Sequence, residues 1–235
     1  MIVPIESPAI MPESVVQVSA RIDWRSGAPL ETIVPGIHLP RRLRTATRTR
    51  QLEFLAGRAC AALAIAQLNE GLRGTVPRLL RSGAPGFPPG TTGSISHAAG
   101  FVTAAAASRS AIDAIGIDSE LIAAARRASR VASRVATRLE LRGAVDRASL
   151  DRTTAVTLLF SAKESLFKAV YSRVGRPFDF LDAYVEAIGD GSSGRLRARL
   201  CVTLGPRARQ GTTFAGRFEI RDGYVHTGIV IPPRD

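Results

Sequence analysis

Apolar positions recur at spacings of three and four over residues 47–69. Leu52, Leu55, Ala59, Ala62, Leu63 and Ala66 predict one helix there, with Gly71 placed for its C-cap. A second long helix is predicted over roughly 151–174, stopped by Gly175 and Pro177, and a further helix over much of 121–143. Residues 94–107 and 112–119 read as two short strands joined by a turn at Ser108-Arg109-Ser110. Residues 178–188, 195–204, 213–221 and 224–231 read as strands, the last two closed by Asp222-Gly223. Residues 1–45 mix short apolar runs with Pro and Gly and read as strands and loops. The Gly- and Pro-rich stretch 71–93, with Ser82-Gly-Ala-Pro-Gly-Phe-Pro-Pro-Gly90 inside it, reads as a long surface loop. Each half offers one long helix and a few strands. This predicts an α+β fold of two similar lobes with a boundary near 108–112, although no clean sequence repeat accompanies it.

Composition narrows the class. The chain has 235 residues, 45% hydrophobic and 22% charged, which suits a soluble globular protein with a sizeable core. Its net charge of +12 calls for an anionic partner: nucleic acid, a phosphorylated small molecule or an acidic protein. Aromatic residues are only 6% and none stands among the regularly spaced arginines of 126–142, which argues against a base-stacking nucleic-acid module. Cys60 and Cys201 lie among apolar or small residues and read as buried free thiols. His38, His97 and His226 have no zinc-type spacing. The N-terminus lacks the pattern of a secretory signal, and no apolar run is long enough for a membrane span. The expected location is cytoplasmic.

Three segments carry candidate chemistry. Of 32 basic residues only two are lysines, and both fall in Phe160-Ser-Ala-Lys163-Glu164-Ser-Leu-Phe-Lys168. Lysine is a compact point charge where arginine is a planar fork, so this choice suggests a site that needs the former. Glu164 and Lys168 stand one helical turn apart among apolar neighbours; an ordinary exposed ion pair is the other reading. Asp118 and Glu120 in Ile115-Gly-Ile-Asp-Ser-Glu120 fall on one face of a strand. Two like charges so close repel unless a cation sits between them, and Mg²⁺ is the natural choice beside phosphates. A polar strand end facing water would look the same. Gly93-Ser-Ile-Ser96-His97 lacks a nucleophile elbow, and neighbouring strand side chains diverge, so Ser96 and His97 form no dyad. They can bind phosphate oxygens, although a lone histidine is more often structural.

Taken in order, these three blocks resemble the 4′-phosphopantetheinyl transferases, in the surfactin-type, enterobactin-synthase-component-D-like monomeric branch. Gln51-Leu-Glu-Phe-Leu-Ala-Gly-Arg-Ala-Cys60 is similar to that branch's N-terminal helix, and the resemblance runs from 41 to 186. The small trimeric holo-acyl-carrier-protein synthases are much shorter and fit poorly. The resemblance implies two similar lobes in pseudo-twofold arrangement, each a small, mostly antiparallel sheet on a long helix, with the active site between them. Residues 1–110 would form the lobe holding the 3′-phosphate side and the Ser-His motif. Residues 111–235 would hold the metal and Lys-Glu-x-x-x-Lys motifs. The implied activity is Mg²⁺-dependent transfer of the 4′-phosphopantetheine arm of coenzyme A to a serine of an apo carrier protein, releasing adenosine 3′,5′-bisphosphate. Asp118, Glu120 and Glu164 would be the metal ligands. Arg50, Arg58, Ser96, His97, Lys163 and Lys168 would contact coenzyme A. Glu164, Lys168 and Asp118 would carry catalysis, with Glu164 as general base for the carrier serine. Glu140 matches a glutamate that lies at the site in some members.

The sequence departs from the family pattern in three places. Phe160 stands where tryptophan is common. Ser119 replaces an aliphatic residue and offers a hydroxyl to order water. The 82–90 loop lacks a Gly-Lys-Pro, with Arg78 and Arg81 as possible substitutes. Arg126, Arg130, Arg134, Arg138 and Arg142 recur every four residues and form one drifting helical stripe, read either as a solvated face or as a landing strip for an acidic carrier protein. The expected partners are coenzyme A and apo carrier proteins of a nonribosomal peptide, siderophore or polyketide pathway, with no nucleic acid, no membrane and a monomeric enzyme. Two other readings remain: a catalytically degenerate coenzyme A or carrier-binding protein, and an arginine-rich nucleic-acid module.

Overall fold

A computed structural model of the chain describes residues 1–24, 30, 34, 36–122 and 125–233. Its first part contains β1 (Ile2–Ile5), β2 (Val16–Ile22), α1 (Arg48–Leu68), β3 (Arg78–Leu79), β4 (Pro85–Gly86), β5 (Thr91–Ala98) and β6 (Phe101–Ser108). Then follow β7 (Ala114–Leu121), α2 (Ala125–Val135), α3 (Arg138–Arg147), α4 (Arg152–Val174), β8 (Ala183–Gly189), β9 (Ser193–Leu200), β10 (Thr213–Arg221) and β11 (Tyr224–Ile231). One sheet has the order β1-β2-β6-β5, and a second has the order β7-β11-β10-β9-β8. Every pairing in them is antiparallel. The first sheet packs on α1 and the second on α4, so the expected α+β class holds. Among the described residues no helix is long and apolar enough to cross a membrane.

The long helices follow from local signals. Thr47 caps α1 by accepting from Arg50 N, and Asp151 caps α4 by accepting from Thr153 N and Thr154 N. Gly175 ends α4 in the left-handed conformation at φ 64°. Helix α1 instead ends at an extended Asn69, whose side chain accepts from Gly71 N, so Gly71 is not the cap. The buried face of α1 is also turned from the expected one. Leu52, Leu55, Ala56, Cys60, Ala61, Ala64 and Ile65 are buried, and Leu63 is 52% exposed. Alanine on every side of the helix leaves little contrast from which to read a face. Cys60 is buried as expected, while Cys201 is only partly covered.

Three other boundaries differ from the sequence reading. The run 94–107 is a hairpin, β5 turning into β6 at Ala99 and Gly100 with φ of 44° and 90°. Tyr224 donates its hydroxyl to Ala99 O at 2.9 Å, tying that turn to the second sheet. The stretch 71–93 contains the small β3–β4 hairpin as well as the start of β5. The single helix expected over 121–143 is two, α2 and α3. Thr137 caps α3, and Glu140 completes a capping box with it. The Thr-x-x-Glu spacing was the signal for that break. It divides the arginine stripe, placing Arg126, Arg130 and Arg134 on α2 and Arg138 and Arg142 on α3.

The core of the second sheet is built on Leu158, Leu159 and Leu166 of α4, all fully buried and each contributing about 1.5–3 kcal/mol. Contact between α4 and the sheet is close because the facing residues are small. Ser165 and Ser161 share hydrogen bonds with Thr227 of β11. A Cβ at Gly116 of β7 would stand 1.8 Å from Ser165 O and 2.8 Å from Ala169 N. Both are backbone atoms of a helix that cannot yield locally. Gly116→Ala should therefore cost at least about 3 kcal/mol, at the upper end of overpacking penalties. Urea unfolding measures this, and a loss under about 1 kcal/mol would show that α4 can move away from β7.

Candidate active site

The site lies where the two sheets meet. β5 and β7 are the facing edge strands, and they are joined through side chains rather than a backbone ladder. Ile117 N donates to Ser94 Oγ, and Ser119 N donates to Ser96 Oγ, both at 3.1 Å. The two serines are i and i+2 on β5, so both hydroxyls face β7. Ser96 Oγ in turn donates to Asp118 Oδ1 at 2.9 Å.

Lys168 of α4 meets this seam. Its Nζ lies 2.7 Å from Asp118 Oδ1, 2.9 Å from Ile117 O and 3.3 Å from Ser96 Oγ. The other Asp118 oxygen, Oδ2, is buried and has no hydrogen-bond partner among the described residues. An orphaned carboxylate oxygen in the interior is costly unless a cation or donor meets it. Glu120 and Glu164 stand close enough to feel this charge. Burial first, then Asp118 and Glu164, push Glu120 up to about 7 against the pull of Lys168 and Arg127. Glu164 is raised by burial and then by Asp118. Three hard carboxylates in one electrostatic neighbourhood, one with a free buried oxygen, fit a divalent cation. Among the described residues they do not stand in a ready-made cage, since no group of three acidic, histidine or cysteine side chains converges closely enough.

A second, basic cavity adjoins β5. Arg42, Arg50, Arg58, Glu53 and His97 line it, together with Gly83 and Pro85 of the β3–β4 hairpin. Arg58 is 5% exposed, its guanidinium lies 4.9 Å from the Phe54 ring centroid, and its Nε is buried without a partner. Burial, Arg42 and Arg50 together depress it to about 10. His97 sits between Arg50 and Glu53, its Nδ1 3.3 Å from Glu53 Oε2 and its Nε2 bonded to Arg50 Nη1. Burial, Arg50 and Lys168 hold His97 down to about 4, so the ring is neutral, accepting from Arg50 through Nε2 and donating through Nδ1.

Four expectations need correction. Lys163 does not face a coenzyme A phosphate: it is 1% exposed, lies 2.7 Å from Glu140 Oε1 and donates to Val135 O at 2.9 Å. Glu140 is equally interior. It accepts from Thr137 N at the start of α3 and from Val185 N, joining α3, α4 and β8 rather than lining the site. The Ser96 hydroxyl is also committed, since one donated and two accepted bonds exhaust it. It holds Asp118 and is not free for phosphate. Ser119 points to the opposite face from Asp118 and bonds His226 Nδ1 at 2.9 Å, so it orders no water beside the carboxylates. Sequence reasoning missed Arg42 and Glu53, and the only local signal was their closeness to the arginines of α1.

Comparison with known proteins identifies the family. Residues 39–107 match the family model of the 4′-phosphopantetheinyl transferase N-terminal domain, and residues 114–215 match that of the 4′-phosphopantetheinyl transferase superfamily. The chain is 30% identical over 237 residues to the 4′-phosphopantetheinyl transferase PptT of Mycobacterium tuberculosis, covering 95% of this chain and 96% of that protein. The chain belongs to the 4′-phosphopantetheinyl transferase family. The transferase is also 35% identical over 186 residues to Svp of Streptomyces mobaraensis, covering 76% of this chain and 71% of that one. It is 38% identical over 136 residues to enterobactin synthase component D of Salmonella typhi, covering 58% of this chain and 55% of that one. Its reaction is transfer of the phosphopantetheine arm of coenzyme A to carrier proteins.

The interior role of Lys163 can be separated from substrate binding. Lys163→Met alone leaves the Glu140 charge buried and unpaired, and should cost about 3–5 kcal/mol. Adding Glu140→Gln removes that charge while keeping a residue that suits the capping box, and should recover most of the loss. The double variant should bind coenzyme A with a KM close to that of the native chain. A large rise in KM with stability restored would return Lys163 to the substrate site.

Proposed function

We propose that the transferase binds coenzyme A across the seam between its two sheets and uses Asp118, Glu120 and Glu164 to hold Mg²⁺ against the pyrophosphate. The observation that carries this reading is the buried, unpartnered Asp118 Oδ2, whose charge Glu120 and Glu164 both feel, with the Lys168 ammonium already on Oδ1. The metal would supply charge neutralisation for the pyrophosphate as the arm leaves. Phosphoryl transfer depends mainly on positioning and charge, so the chain's own residues have mostly to bind and orient. Arg50 and Arg58 take the 3′-phosphate end in the basic cavity, with His97 holding Arg50 in place. Lys168 shares its three hydrogens among Asp118, Ile117 O and Ser96, and the 3.3 Å contact to Ser96 is the one it yields most readily to a phosphate oxygen. Its charge then lies beside the leaving adenosine 3′,5′-bisphosphate. Glu164, directly or through water, removes the proton from the attacking carrier serine. Both sheets of one copy supply these groups, which supports a working monomer.

Glu164→Gln should lower turnover at least about 100-fold. The measurement is the mass gain of an apo carrier protein incubated with coenzyme A and Mg²⁺. Near-native turnover with the metal still bound would remove Glu164 from the proton-transfer step.

The basic face of α2 supports an acidic carrier as acceptor. Ala128, Ala132 and Val135 turn inward, while Arg126, Arg127, Arg130 and Arg134 are exposed. Arg127 lines a cavity with Glu120 and Phe160, so this face adjoins the site. On α3, Arg142 already lies 3.5 Å from Asp146, so that part of the stripe carries less free charge. Reversing Arg130 and Arg134 to Glu should lower kcat/KM for the carrier roughly tenfold at low salt, with the difference fading above about 0.5 M as screening shortens. An unchanged kcat/KM at low salt would discard the docking face.

A further inference from the structure

We propose that the outward face of the second sheet, over β8, β9 and β10, binds the sugar-phosphate backbone of a nucleic-acid duplex through four arginines, without reading its sequence. Strand period fixes the face. Leu196, Ala198 and Leu200 of β9, with Phe214 and Phe218 of β10, turn into the core against α4. The residues between them turn the other way. Arg195, Arg197 and Arg199 are all exposed and stand in one row along β9, about 7 Å apart. Register places Arg217 of β10 directly opposite Arg195. It places Ile188, Glu186 and Tyr184 of β8 opposite Arg195, Arg197 and Arg199. Asp118 and the inward side of α2 belong to the α4 side of this sheet, so the face is separate from both the substrate site and the arginines of α2. Over β7 and β11 the same outward side is covered. Ile10 packs with Ile115 and Ile117, and Met11 fills the space where a Cβ of Gly228 would stand. Gly228 is the β11 partner of Arg217, so that cover ends where the arginines begin.

The arrangement of charge identifies the partner. The face carries four arginines and one carboxylate, Glu186, and four less one leaves three positive charges. Glu186 already has Arg147 at 3.6 Å. Among the described residues no carboxylate lies within ion-pair distance of Arg195, Arg197 or Arg217. Like charges directly opposite one another destabilise a sheet, and an ordinary solvated face mixes both signs. The apposition of Arg195 and Arg217 is thus a cost that a polyanion removes. Arg197 holds the centre of the face, and apolar Ile188 stands at its margin. A protein interface has the reverse order, with an apolar core and a polar rim. Interfaces with nucleic acid are strongly positive throughout. The Tyr184 ring is occupied, since the Arg199 guanidinium lies 5.6 Å from its centroid. It is not open for base stacking, which leaves phosphates as the contact, and a guanidinium fork suits them.

The test is fluorescence anisotropy of a labelled, mixed-sequence DNA duplex titrated with the full chain over a range of salt, with saturating coenzyme A present. Each phosphate neutralised contributes about 0.9 to the slope of log K against log salt concentration, so the native slope should be about −3 to −4. Arg195→Thr with Arg217→Thr should make it shallower by about 2, and Arg197→Gln alone by about 1. Carrier modification and the urea midpoint should stay native in both. If the paired variant fails to fold, Arg197→Gln decides alone. Arg126→Thr with Arg130→Thr removes the same charge from α2 and should leave the slope as it was. An equal change in the α2 variant would assign binding to net charge and overturn the face, and so would a native chain that ignores the duplex at low salt. Tighter binding to phosphatidylglycerol vesicles than to the duplex, lost in the face variants, would overturn the nucleic-acid reading in favour of a membrane surface.

Discussion

Two serine hydroxyls hold the molecule's functional geometry together. Ser94 and Ser96 accept the amide hydrogens of Ile117 and Ser119, which the edge strand β7 would otherwise leave unpaired. An edge-to-edge backbone ladder would have merged the sheets into one continuous surface. Pairing through side chains lets two separate sheets meet at their edges. It also leaves the Ser96 hydrogen free to fix Asp118. On the other side of β7, Gly116 admits the backbone of α4, which brings Lys168 to the same aspartate. The geometry of the site depends on how closely these three elements approach.

The two lysines serve different ends from one helix. Lys163 is fully interior and spends its charge on Glu140, whereas Lys168 is 27% exposed and sits at the seam. Burial lowers the Lys163 pKa while Glu140 raises it, so the pair survives through mutual compensation rather than through solvent. Glu140 further collects the start of α3 and the backbone of β8. The motif therefore anchors three elements on one side of α4 and arms the seam on the other. A compact ammonium suits both tasks, since each places it within 3.3 Å of two or three oxygens.

Two clusters of opposite charge lie in the chain. Carboxylates with an unsatisfied oxygen lie at the meeting of β5, β7 and α4, and guanidiniums with an unsatisfied Nε lie at α1. Burial first, and like-charged neighbours after it, raise Glu120 and depress Arg58. Shifts of this kind are a usual mark of a site built for charges that arrive with a ligand. The neutral His97 links Arg50 to Glu53 without adding to the repulsion.

The sequence by itself determined the long helices, the late hairpin at Asp222-Gly223, the α+β class and the family, because caps, turn residues and short motifs act over a few positions. It also placed Asp118 and Glu120 on one strand face, which follows from strand period alone. It did not locate the buried side of α1, the β5–β6 turn or the break at Thr137. In the first two, runs of alanine erase the contrast that periodicity needs. Only the tertiary structure decided that Lys163 and Glu140 are interior partners, that Ser96 serves Asp118, and that Arg42 lines the basic cavity from outside the motifs. Those outcomes depend on which face of a helix meets which strand edge, a long-range packing choice that no local spacing records.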